Sequence, residues 1–327
     1  MKITILNHEY EVLETKEKIT IADSFVIRQN KIGGGNGEAK LYVGQNNKEI
    51  RDFFGKKSFK INCFLLKEDL LHYLEETKVE YLNPEQQYIN KSILPELWKE
   101  RISKINKLPE LIEFEILEQS QIAGPRIYVK SEDIAYKIIR ELSLPNITYI
   151  TIVKLLNQRG ELFYYFKLFA DYFGDIQHPY IIHKEEIEVE NLEKNKDGLV
   201  LSKARKGQGK YREALLNSCP YCPITMVSDD RILIASHIKP WAKSNDSEKI
   251  DPMNGFMLTP TFDYLFDRGF MTFSKDKRIK LSPFLSKMTY SKLGISDNNI
   301  IYKLPIEGRE FYMEYHRKEI FQGNISS

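Results

Sequence analysis

The chain has 327 residues, of which 42% are hydrophobic and 29% charged, and its formal net charge at pH 7 is only +2. This length favours two compact domains over one. No apolar run reaches the roughly 18 residues of a membrane span, and polar residues interrupt the first short apolar run, which argues against a secretory signal. Three cysteines are too few for a disulfide framework. These features predict a cytoplasmic protein with no membrane partner.

The C-terminal part of the sequence is more basic than the rest. From residue 201 onward there are 20 Lys and Arg residues against 14 Asp and Glu, a balance of +6, and the remaining 28 against 32 give −4. Basic regions attract phosphate-bearing partners. The asymmetry is mild, so by itself it is only compatible with phosphate binding at the C-terminal end.

The first part of the chain is typical of a mixed α and β domain. Alternating apolar and polar residues predict short strands within residues 1–30. A glycine-rich turn at 33–37 is not a phosphate-cradling loop, because no Gly-Lys-Ser/Thr follows it. Residues 66–118 are expected to be mainly helical, and a further helix is expected over 135–142.

Two stretches rich in β-branched and aromatic residues follow, at 147–156 and 162–173. They flank Asn157-Gln-Arg-Gly160, a sequence of turn-forming residues. The pattern predicts a long hairpin, with a buried helix as the alternative.

A domain boundary is expected near residue 190. Residues 184–197 are dense in charge and have no apolar periodicity, which indicates a linker. Residues 1–190 would then form an N-terminal recognition or regulatory domain of unknown fold. Residues 191–327 would form the second domain, which carries all the motifs with recognisable chemistry.

The second domain has the pattern of a strand, a loop, a strand and a helix. An apolar stretch at 231–241 predicts the first strand. After a polar loop, Asp251-Pro-Met-Asn254-Gly leads into a second strand, and Thr261-Phe-Asp263 leads into a helix. A short hairpin is expected over residues 270–282.

Three polar residues of this segment suit phosphodiester hydrolysis. A histidine can deprotonate water near neutral pH, and a divalent metal with oxygen ligands neutralises the charge that builds on the phosphate. His237, Asn254 and Asp263 stand at the ends of successive short elements, which can bring them within about 10 Å of one another. Taken singly, each has an ordinary explanation as a strand histidine, a turn residue or an acid at a helix N-terminus.

Four short motifs occur in order around these residues. They are Arg205-Lys-Gly-Gln208-Gly-Lys-Tyr211-Arg212, Ala235-Ser-His237-Ile-Lys-Pro-Trp241, Asp251-Pro-Met-Asn254-Gly255 and Leu265-Phe-Asp267-Arg-Gly269. Together they resemble HNH nucleases of the ββα-metal fold, in the branch found in bacterial restriction enzymes and related defence nucleases. The resemblance covers about residues 205–285, a quarter of the chain. It implies an α+β protein with a C-terminal ββα-metal HNH nuclease domain.

The resemblance implies a role for each central residue. His237 would be the general base that activates water, and Asn254 would fix the loop and the orientation of the histidine without touching metal. Asp263 would ligate the metal, which would be Mg²⁺ or another divalent cation such as Mn²⁺. Ser236 departs from the family pattern, since Asp or His is usual there. Either Ser236 is a weak ligand, or Asp267 contributes, or few protein groups hold the metal.

The resemblance also implies contacts to DNA phosphates. Arg205, Gln208 and Arg212 precede the fold and are expected to pack against the site and bind phosphate, since forked donors suit phosphate oxygens. Lys239 is expected to bind phosphate as well, and Trp241 to cover the catalytic loop.

Cys219 and Cys222 have the spacing of a zinc knuckle. A structural zinc site needs four ligands, and the sequence contains no second Cys pair. We therefore interpret the two residues as buried thiols and predict no structural zinc.

These features predict a DNA endonuclease of restriction or phage-defence type. It would cut double-stranded DNA to leave 5′-phosphate and 3′-hydroxyl ends, as the family implies. One HNH centre cuts one strand, so a homodimer is expected, and a cognate DNA methyltransferase is the further partner that this role implies. Two alternatives stay open: a ligand-gated nuclease effector that uses the 33–37 turn, and a non-catalytic DNA-binding module on a degenerate HNH scaffold, which Ser236 would suit.

Overall fold

The computed structural model describes residues 1–21, 41–44, 52–55, 61–84, 91–119, 126–130, 132–144, 147–170 and 209–323. The chain divides into an N-terminal unit, Met1–Gly174 with Phe284–Lys287, and a C-terminal unit, Asp175–Pro283 with Met288–Ser327. The boundary predicted near residue 190, the linker over 184–197 and the turn at 33–37 lie outside the described residues. Helices and strands together make up the fold, so the predicted α+β class is confirmed. In these ranges no helix is both long and apolar enough to cross a membrane.

An eight-stranded sheet organises the described part of the N-terminal unit. Its strands are β1 (Lys2–Ile5), β2 (His8–Thr20), β3 (Leu41–Gly44), β4 (Ile61–Leu66), β5 (Leu111–Gln119), β6 (Arg126–Val129), β7 (Thr148–Asn157) and β8 (Leu162–Ala170). Their order across the sheet is β1-β2-β7-β8-β4-β5-β6-β3. Neighbouring strands are antiparallel, except that β4 and β8 are parallel. The hairpin β7–β8 therefore lies in the interior of the sheet.

Helices pack against this sheet through both apolar and polar contacts. Those described include α1 (Lys67–Glu76), α2 (Lys78–Leu82), α3 (Leu94–Asn106) and α4 (Ile134–Leu142). In α4, the side chains of Ile138, Ile139 and Leu142 are at most 1% exposed, and their spacing places them on one face. The Tyr73 hydroxyl of α1 lies 2.6 Å from the Thr148 hydroxyl of β7, so a buried hydrogen bond also ties helix to sheet.

The hairpin predicted around Asn157 and Gly160 is confirmed, and the alternative of a buried helix is wrong. β7 and β8 pair antiparallel along their length. Oδ1 of Asn157 accepts hydrogen bonds from the backbone N–H groups two and four residues later. Gly160 has a φ of +78°, which glycine adopts without a steric cost. Turn chemistry that is visible in the sequence therefore sets the register of these two strands.

The prediction that residues 66–118 are mainly helical is wrong for their last part. Helix α3 ends at Asn106, and β5 begins at Leu111. In β5, Ile112, Phe114 and Ile116 are buried and alternate with glutamates, which is the period of a strand with one face on the core. The glutamates between these apolar residues resemble the polar face of a helix. Their spacing of two residues is that of a strand and not of a helix.

The C-terminal unit contains the predicted order of strand, loop, strand and helix. Residues 209–218 are helical and form α5. The elements that follow are β9 (Ile234–His237), β10 (Gly255–Leu258), α6 (Pro260–Asp267), β11 (Met271–Phe273), β12 (Ile279–Leu281), α7 (Lys287–Lys292), α8 (Glu310–Tyr315) and a π-helix (His316–Ile320). β9 pairs antiparallel with β10, and β11 with β12. Two paired strands followed by α6 form the expected ββα arrangement.

The first of these strands is shorter than the predicted 231–241. A 3₁₀ turn covers Asp230–Ile232, where the Asp229 carboxylate accepts a backbone N–H two residues later. A second 3₁₀ turn covers Trp241–Lys243, directly after Pro240. The capping carboxylate offers the backbone an alternative to strand pairing, and proline has no N–H to donate. Only the four residues of β9 therefore pair with β10.

Three phenylalanines and a histidine form an aromatic core beside α6. Phe256, Phe266 and Phe273 are fully buried, with ring centroids 5.8 to 5.9 Å apart. His316 stacks on Phe266 at 3.8 Å. Its Nε2 lies 2.9 Å from the Phe266 carbonyl oxygen and its Nδ1 2.9 Å from the Thr272 hydroxyl. Because a carbonyl only accepts, Nε2 carries a proton, and both ring nitrogens are hydrogen-bonded. Burial lowers the pKa of the imidazole, which is therefore neutral near pH 7.

Gly269 ends α6 at a position where no other residue fits. Its φ is +68°, and a Cβ there would lie 1.9 Å from the backbone oxygen of Ile320. We predict that Gly269→Ala lowers the free energy of unfolding by about 3 kcal/mol, because steric overlap adds to the strain of a left-handed alanine. Gly294→Ala is the matched control, since Gly294 has a φ of +71° with nothing within 4 Å of its Cβ. It should cost only about 1 kcal/mol.

Urea unfolding followed by circular dichroism compares the two alanine variants. Equal losses of stability would contradict the steric account and leave backbone strain as the whole effect.

Burial of His316 makes the stability of this unit depend on pH. Burial lowers the pKa of His316 to about 3 from 6.5, so below pH 6.5 the unfolded chain takes up a proton that the folded chain refuses. The free energy of unfolding should therefore fall as the pH falls from 6.5, by about 1.4 kcal/mol per pH unit from this group. His316→Gln keeps a donor and an acceptor but does not titrate there. Its unfolding free energy should vary less between pH 6.5 and about 4.5; identical slopes for the two proteins would refute the assignment.

Candidate functional site

The β9–β10 pair brings His237 and Asn254 together. His237 is the last residue of β9 and is paired with Gly255, the first residue of β10. Asn254 directly precedes β10, and its backbone oxygen accepts a hydrogen bond of 3.0 Å from the N–H of Ile238. We call residues 238–254, which connect the two strands, the β9–β10 loop. Two of the predicted site residues therefore stand at the two ends of one loop.

The imidazole of His237 is held from three sides. Its Nε2 lies 3.0 Å from the backbone oxygen of Lys249. Tyr211 stacks on it with ring centroids 4.1 Å apart, and Trp241 meets it edge to face at 5.5 Å. Because the carbonyl oxygen only accepts, Nε2 carries the proton, and Nδ1 is the basic nitrogen of the neutral ring. This is the tautomer that a general base acting through Nδ1 requires.

Tyr211 connects this stack to the far end of the loop. Its ring is 2% exposed, and its hydroxyl donates to the backbone oxygen of Asn254 at 3.0 Å. Burial raises the pKa of Tyr211, and the charges of Asp251 and Asp263 raise it further, whereas Arg309 opposes them. The phenol therefore stays protonated and remains a hydrogen-bond donor.

The glycine of the Asn-Gly motif makes room for Tyr211. A Cβ on Gly255 would lie 1.9 Å from the Tyr211 hydroxyl oxygen and 2.8 Å from the backbone oxygen of Ser236. A side chain at this position would therefore displace the ring that packs on His237. The motif requires glycine for close approach rather than for an unusual backbone angle.

Asn254 is fully buried and supports the loop from within. Its Oδ1 accepts from the N–H of Lys239 at 2.8 Å. Its Nδ2 donates to the backbone oxygens of Lys239 at 3.2 Å and Glu248 at 3.0 Å, and to the Ser244 hydroxyl at 3.3 Å. One carboxamide thus joins the beginning, middle and end of the loop that carries the Lys249 carbonyl. The role predicted for Asn254, fixing the loop and the orientation of the histidine, would act through these hydrogen bonds.

Lys239 does not present a free ammonium group. Its Nζ lies 2.6 Å from Oε2 of Glu248, and the two side chains are 15% and 13% exposed. The ammonium also lies 5.4 Å from the ring centroid of Tyr315. The Lys239 ammonium holds the pKa of the Glu248 carboxyl below its ordinary value. The structure therefore places the predicted phosphate-binding Lys239 in an ion pair within the loop.

The residues expected to bind metal are placed differently from one another. Asp263 lies in the first turn of α6 and is 8% exposed, and its charge acts on Tyr211. Asp267 is exposed at the end of the same helix, and Ser236 is 4% exposed in β9. In the part of the chain that the structure describes, no three His, Cys, Asp or Glu side chains form a metal-binding group. The structure thus places Asp263 in the first turn of the helix that follows β10, and its metal-binding role stays a prediction.

This donor set fits a sparsely ligated hard cation. Mg²⁺ keeps several water ligands and is commonly bound through one or two carboxylates together with the phosphate oxygens of a substrate. It does not require a dedicated cluster of protein side chains. The chemistry of Asp263 is therefore compatible with the predicted divalent ion.

Arg212, which was predicted to bind DNA phosphate, makes hydrogen bonds within the protein. Arg212 donates from Nη1 to the backbone oxygen of Leu233 at 2.8 Å, and from Nη2 to that of Asp230. It therefore ties α5 to the turn that enters β9. Arg205 and Gln208, the other two residues of this prediction, lie outside the described residues.

Two residues near the C-terminus hold the Asp-Pro-x-Asn-Gly turn from outside. Arg309 is 2% exposed and donates from Nε to the Gly255 carbonyl at 2.9 Å and from Nη2 to that of Pro252 at 3.3 Å. Tyr312 donates to the Asp251 carboxylate at 2.7 Å. The sequence analysis missed both, because they lie more than 50 positions from the turn in a stretch with no motif.

Cys219 and Cys222 are buried free thiols. Sγ of Cys219 donates to the Tyr221 backbone oxygen at 3.3 Å, and burial raises the pKa of its thiol. Sγ of Cys222 lies 3.9 Å from the Thr259 hydroxyl. These contacts are those of packed small side chains beside β10 and α6.

Comparison with known proteins identifies the family of this region. Residues 222–274 match the model of a family described as HNH endonuclease. The matched residues contain β9, β10 and α6, together with His237, Asn254 and Asp263. No curated protein matches the chain. The C-terminal region thus contains an HNH endonuclease domain, as the sequence motifs predicted.

The hydrogen bonds of Asn254 make a sharp prediction for the nearly isosteric Asn254→Asp. The new carboxylate cannot donate, and it faces the backbone oxygens of Lys239 and Glu248 at buried positions. We predict a loss of about 3 kcal/mol in the free energy of unfolding, because a buried charge replaces a bonded amide. Asn299→Asp, at an exposed position, should stay within about 0.5 kcal/mol of the parent. Thermal or urea unfolding measures both; equal stability of the two variants would refute the proposed loop support.

Proposed function

We propose that the chain is a metal-dependent DNA endonuclease with His237 as its general base. The observation that carries this proposal is the imidazole at the end of β9, whose Nε2 is bonded to the Lys249 carbonyl inside a segment that matches HNH endonucleases. The Nε2–H bond leaves the basic lone pair on Nδ1. In this role Nδ1 takes a proton from the water that attacks the scissile phosphorus.

The geometry supports a positioned base rather than a mobile one. Tyr211 and Trp241 pack on His237, and the Lys249 carbonyl fixes its rotation. A base held in one orientation reduces the entropy lost on reaching the transition state. The imidazolium formed by proton transfer is stabilised by the same carbonyl, which accepts the Nε2–H bond in both charge states.

Asp263 is the residue that we assign to the divalent cation, with waters and phosphate oxygens as its other ligands. Such a cation would neutralise charge on the phosphate and on the leaving oxygen. We propose Mg²⁺, with Mn²⁺ as a substitute, since both take oxygen ligands. Ser236 and Asp267 are the weaker candidates, because Ser236 is buried within β9 and Asp267 is exposed at the far end of α6.

A restriction or phage-defence role is the biological setting that we propose. Two compact units suit a division between recognition and cutting, and the sequence motifs resemble those of the restriction-enzyme branch. The substrate would be double-stranded DNA, cut to 5′-phosphate and 3′-hydroxyl ends. Because one HNH centre cuts one strand, we propose a homodimer, and a cognate methyltransferase would protect the host.

A non-catalytic DNA-binding module is the second candidate. It is favoured by Ser236, which replaces the usual metal ligand, and by the absence of a three-residue ligand group among the described side chains. Its distinguishing property is that the protein would retard DNA in a gel without cutting it. The ordered base argues for the first candidate, since a binding module has no need of one fixed tautomer.

Cleavage of plasmid DNA tests the proposed function. Methylated and unmethylated plasmids are incubated with the protein in Mg²⁺ or in EDTA, beside His237→Ala, Asp263→Asn and the control His8→Ala. We expect metal-dependent fragments, a loss of about 100-fold or more without the base, and unchanged cutting by His8→Ala, because the side chain of His8 is exposed at the start of β2 in the other unit. Preferential cutting of the unmethylated plasmid would indicate a restriction enzyme that methylation blocks. Preferential cutting of the methylated plasmid would indicate a nuclease that requires the modification.

Intact DNA in every lane, together with a clear gel shift, would overturn the nuclease and favour the binding module. Cutting that persists in His237→Ala would instead remove His237 from the mechanism while leaving the activity.

A further inference from the structure

The acceptor that fixes His237 lies in a turn of the β9–β10 loop and not in a helix or strand. The Lys249 carbonyl is contributed 12 positions after His237, from a stretch that forms neither strand nor helix. No ladder of backbone hydrogen bonds to β9 or β10 holds it there. Its position therefore depends on the side chains that shape residues 245–249.

Residues 245–249 form one turn with reciprocal capping. Oδ1 of Asn245 accepts from the N–H of Glu248 at 3.0 Å, and Oε2 of Glu248 accepts from the N–H of Asn245 at 2.9 Å. The N–H of Lys249 donates to the backbone oxygen of Asn245 at 3.0 Å. This is the pattern of a capping box, in which a short polar residue is followed three positions later by Glu. The box shapes the turn but does not connect it to His237.

The connection to His237 runs through Lys239. Lys239 lies two positions after His237, and its Nζ reaches Oε2 of Glu248 at 2.6 Å. Its backbone N–H and backbone oxygen are both bonded to the Asn254 carboxamide. Lys239 is therefore fixed at its backbone, and its ammonium holds the carboxylate of the residue that precedes Lys249.

The Lys239–Glu248 ion pair is less exposed to solvent than an ordinary surface ion pair. The side chains of Lys239 and Glu248 are 15% and 13% exposed, whereas those of the Lys277–Glu307 pair are 30% and 76% exposed. An ion pair in a sheltered setting is screened little by salt, and removal of one partner leaves the other as an uncompensated charge. Loss of Lys239 would therefore disturb the turn, not merely remove a contact.

We propose that the Lys239–Glu248 ion pair is a positioning element that keeps the Lys249 carbonyl on Nε2 of His237 and so selects the tautomer with a basic Nδ1. The inference rests on the proposed function only for its effect on catalysis. The tautomer itself is a property of the free protein. This role replaces phosphate binding as the task of Lys239, because its ammonium is already used inside the loop.

The tautomer of His237 is the direct readout. Nitrogen-15 long-range correlation spectra of the full chain, recorded above the pKa of the imidazole, distinguish the Nε2–H from the Nδ1–H form, with His237→Gln used to assign the signals. We expect the parent to be in the Nε2–H form and Lys239→Met to become a mixture of both. Lys277→Met, which removes the matched exposed pair in the same unit, should keep the parent spectrum.

Two further variants separate charge from turn shape. Glu248→Gln retains an acceptor for the capping box but loses the charge that Lys239 neutralises, so we expect a mixed tautomer there too. Lys239→Arg retains the positive charge, so we expect it to keep the Nε2–H form of the parent. In a double-mutant cycle, Lys239→Met with Glu248→Gln should have no larger effect than either single change, because the two side chains act as a unit.

The result that overturns the proposal is an unchanged Nε2–H tautomer in both Lys239→Met and Glu248→Gln. If Lys239→Met does not fold, as seen by loss of its circular dichroism, the comparison of Glu248→Gln with Lys239→Arg decides in its place. If the parent cuts DNA, kcat should fall about tenfold in Lys239→Met, with KM within about twofold. If the parent cuts no DNA, the spectra still test the ion pair, so failure of the proposed function and failure of this inference are distinguishable.

Discussion

A single buried carboxamide carries the main constraint on this site. The β9–β10 loop leaves the hairpin after His237 and returns one of its backbone carbonyls to the same imidazole, although that carbonyl lies in a turn outside the two short 3₁₀ segments of the loop. Asn254 supports this path with four hydrogen bonds to three points of the loop. Because its polar atoms are fully buried, each bond that is lost leaves a desolvated group unpaired, which gives the loop one preferred conformation.

The packing around the Asn254 amide explains the identity of nearby residues that have no role in the proposed chemistry. Tyr211 can stack on His237 only because Gly255 has no side chain. Arg309 then closes the other side, with its guanidinium bonded to the turn and lying 5.5 Å from the ring centroid of Phe256. An arginine so buried is costly to desolvate and must be fully bonded. The hairpin, the helix α5 and the C-terminal residues therefore form one packed unit around the base.

The sequence predicted the elements of this site better than their contacts. The hairpin β9–β10 and the helix α6 follow from local patterns, and so does the tight turn before Gly255. The capping box of Asn245 and Glu248 was also visible in the sequence, since Asn-x-x-Glu is its signature, but it was overlooked. By contrast, Arg309 could not be predicted, because its contacts span 54 positions and depend on tertiary packing. Charge at a motif position led to the prediction that Lys239 and Arg212 bind phosphate, while the partners that these side chains have in the fold are visible only in three dimensions.

In the proposed mechanism, the small number of metal ligands among the described residues and the fixed orientation of His237 are connected. With Asp263 as the proposed metal ligand, a bound cation would keep most of its water ligands and take its position largely from the substrate phosphate. Such a metal would contribute little to fixing the geometry of attack, so the proposed base would have to be held by the protein. The contacts around His237 supply this: a stacked ring, an edge-on indole and a carbonyl anchored by Asn254. In such a site the loop, and not the metal, would pre-organise the reacting groups. Substitutions in the loop should therefore affect the chemical step more than the affinity for metal.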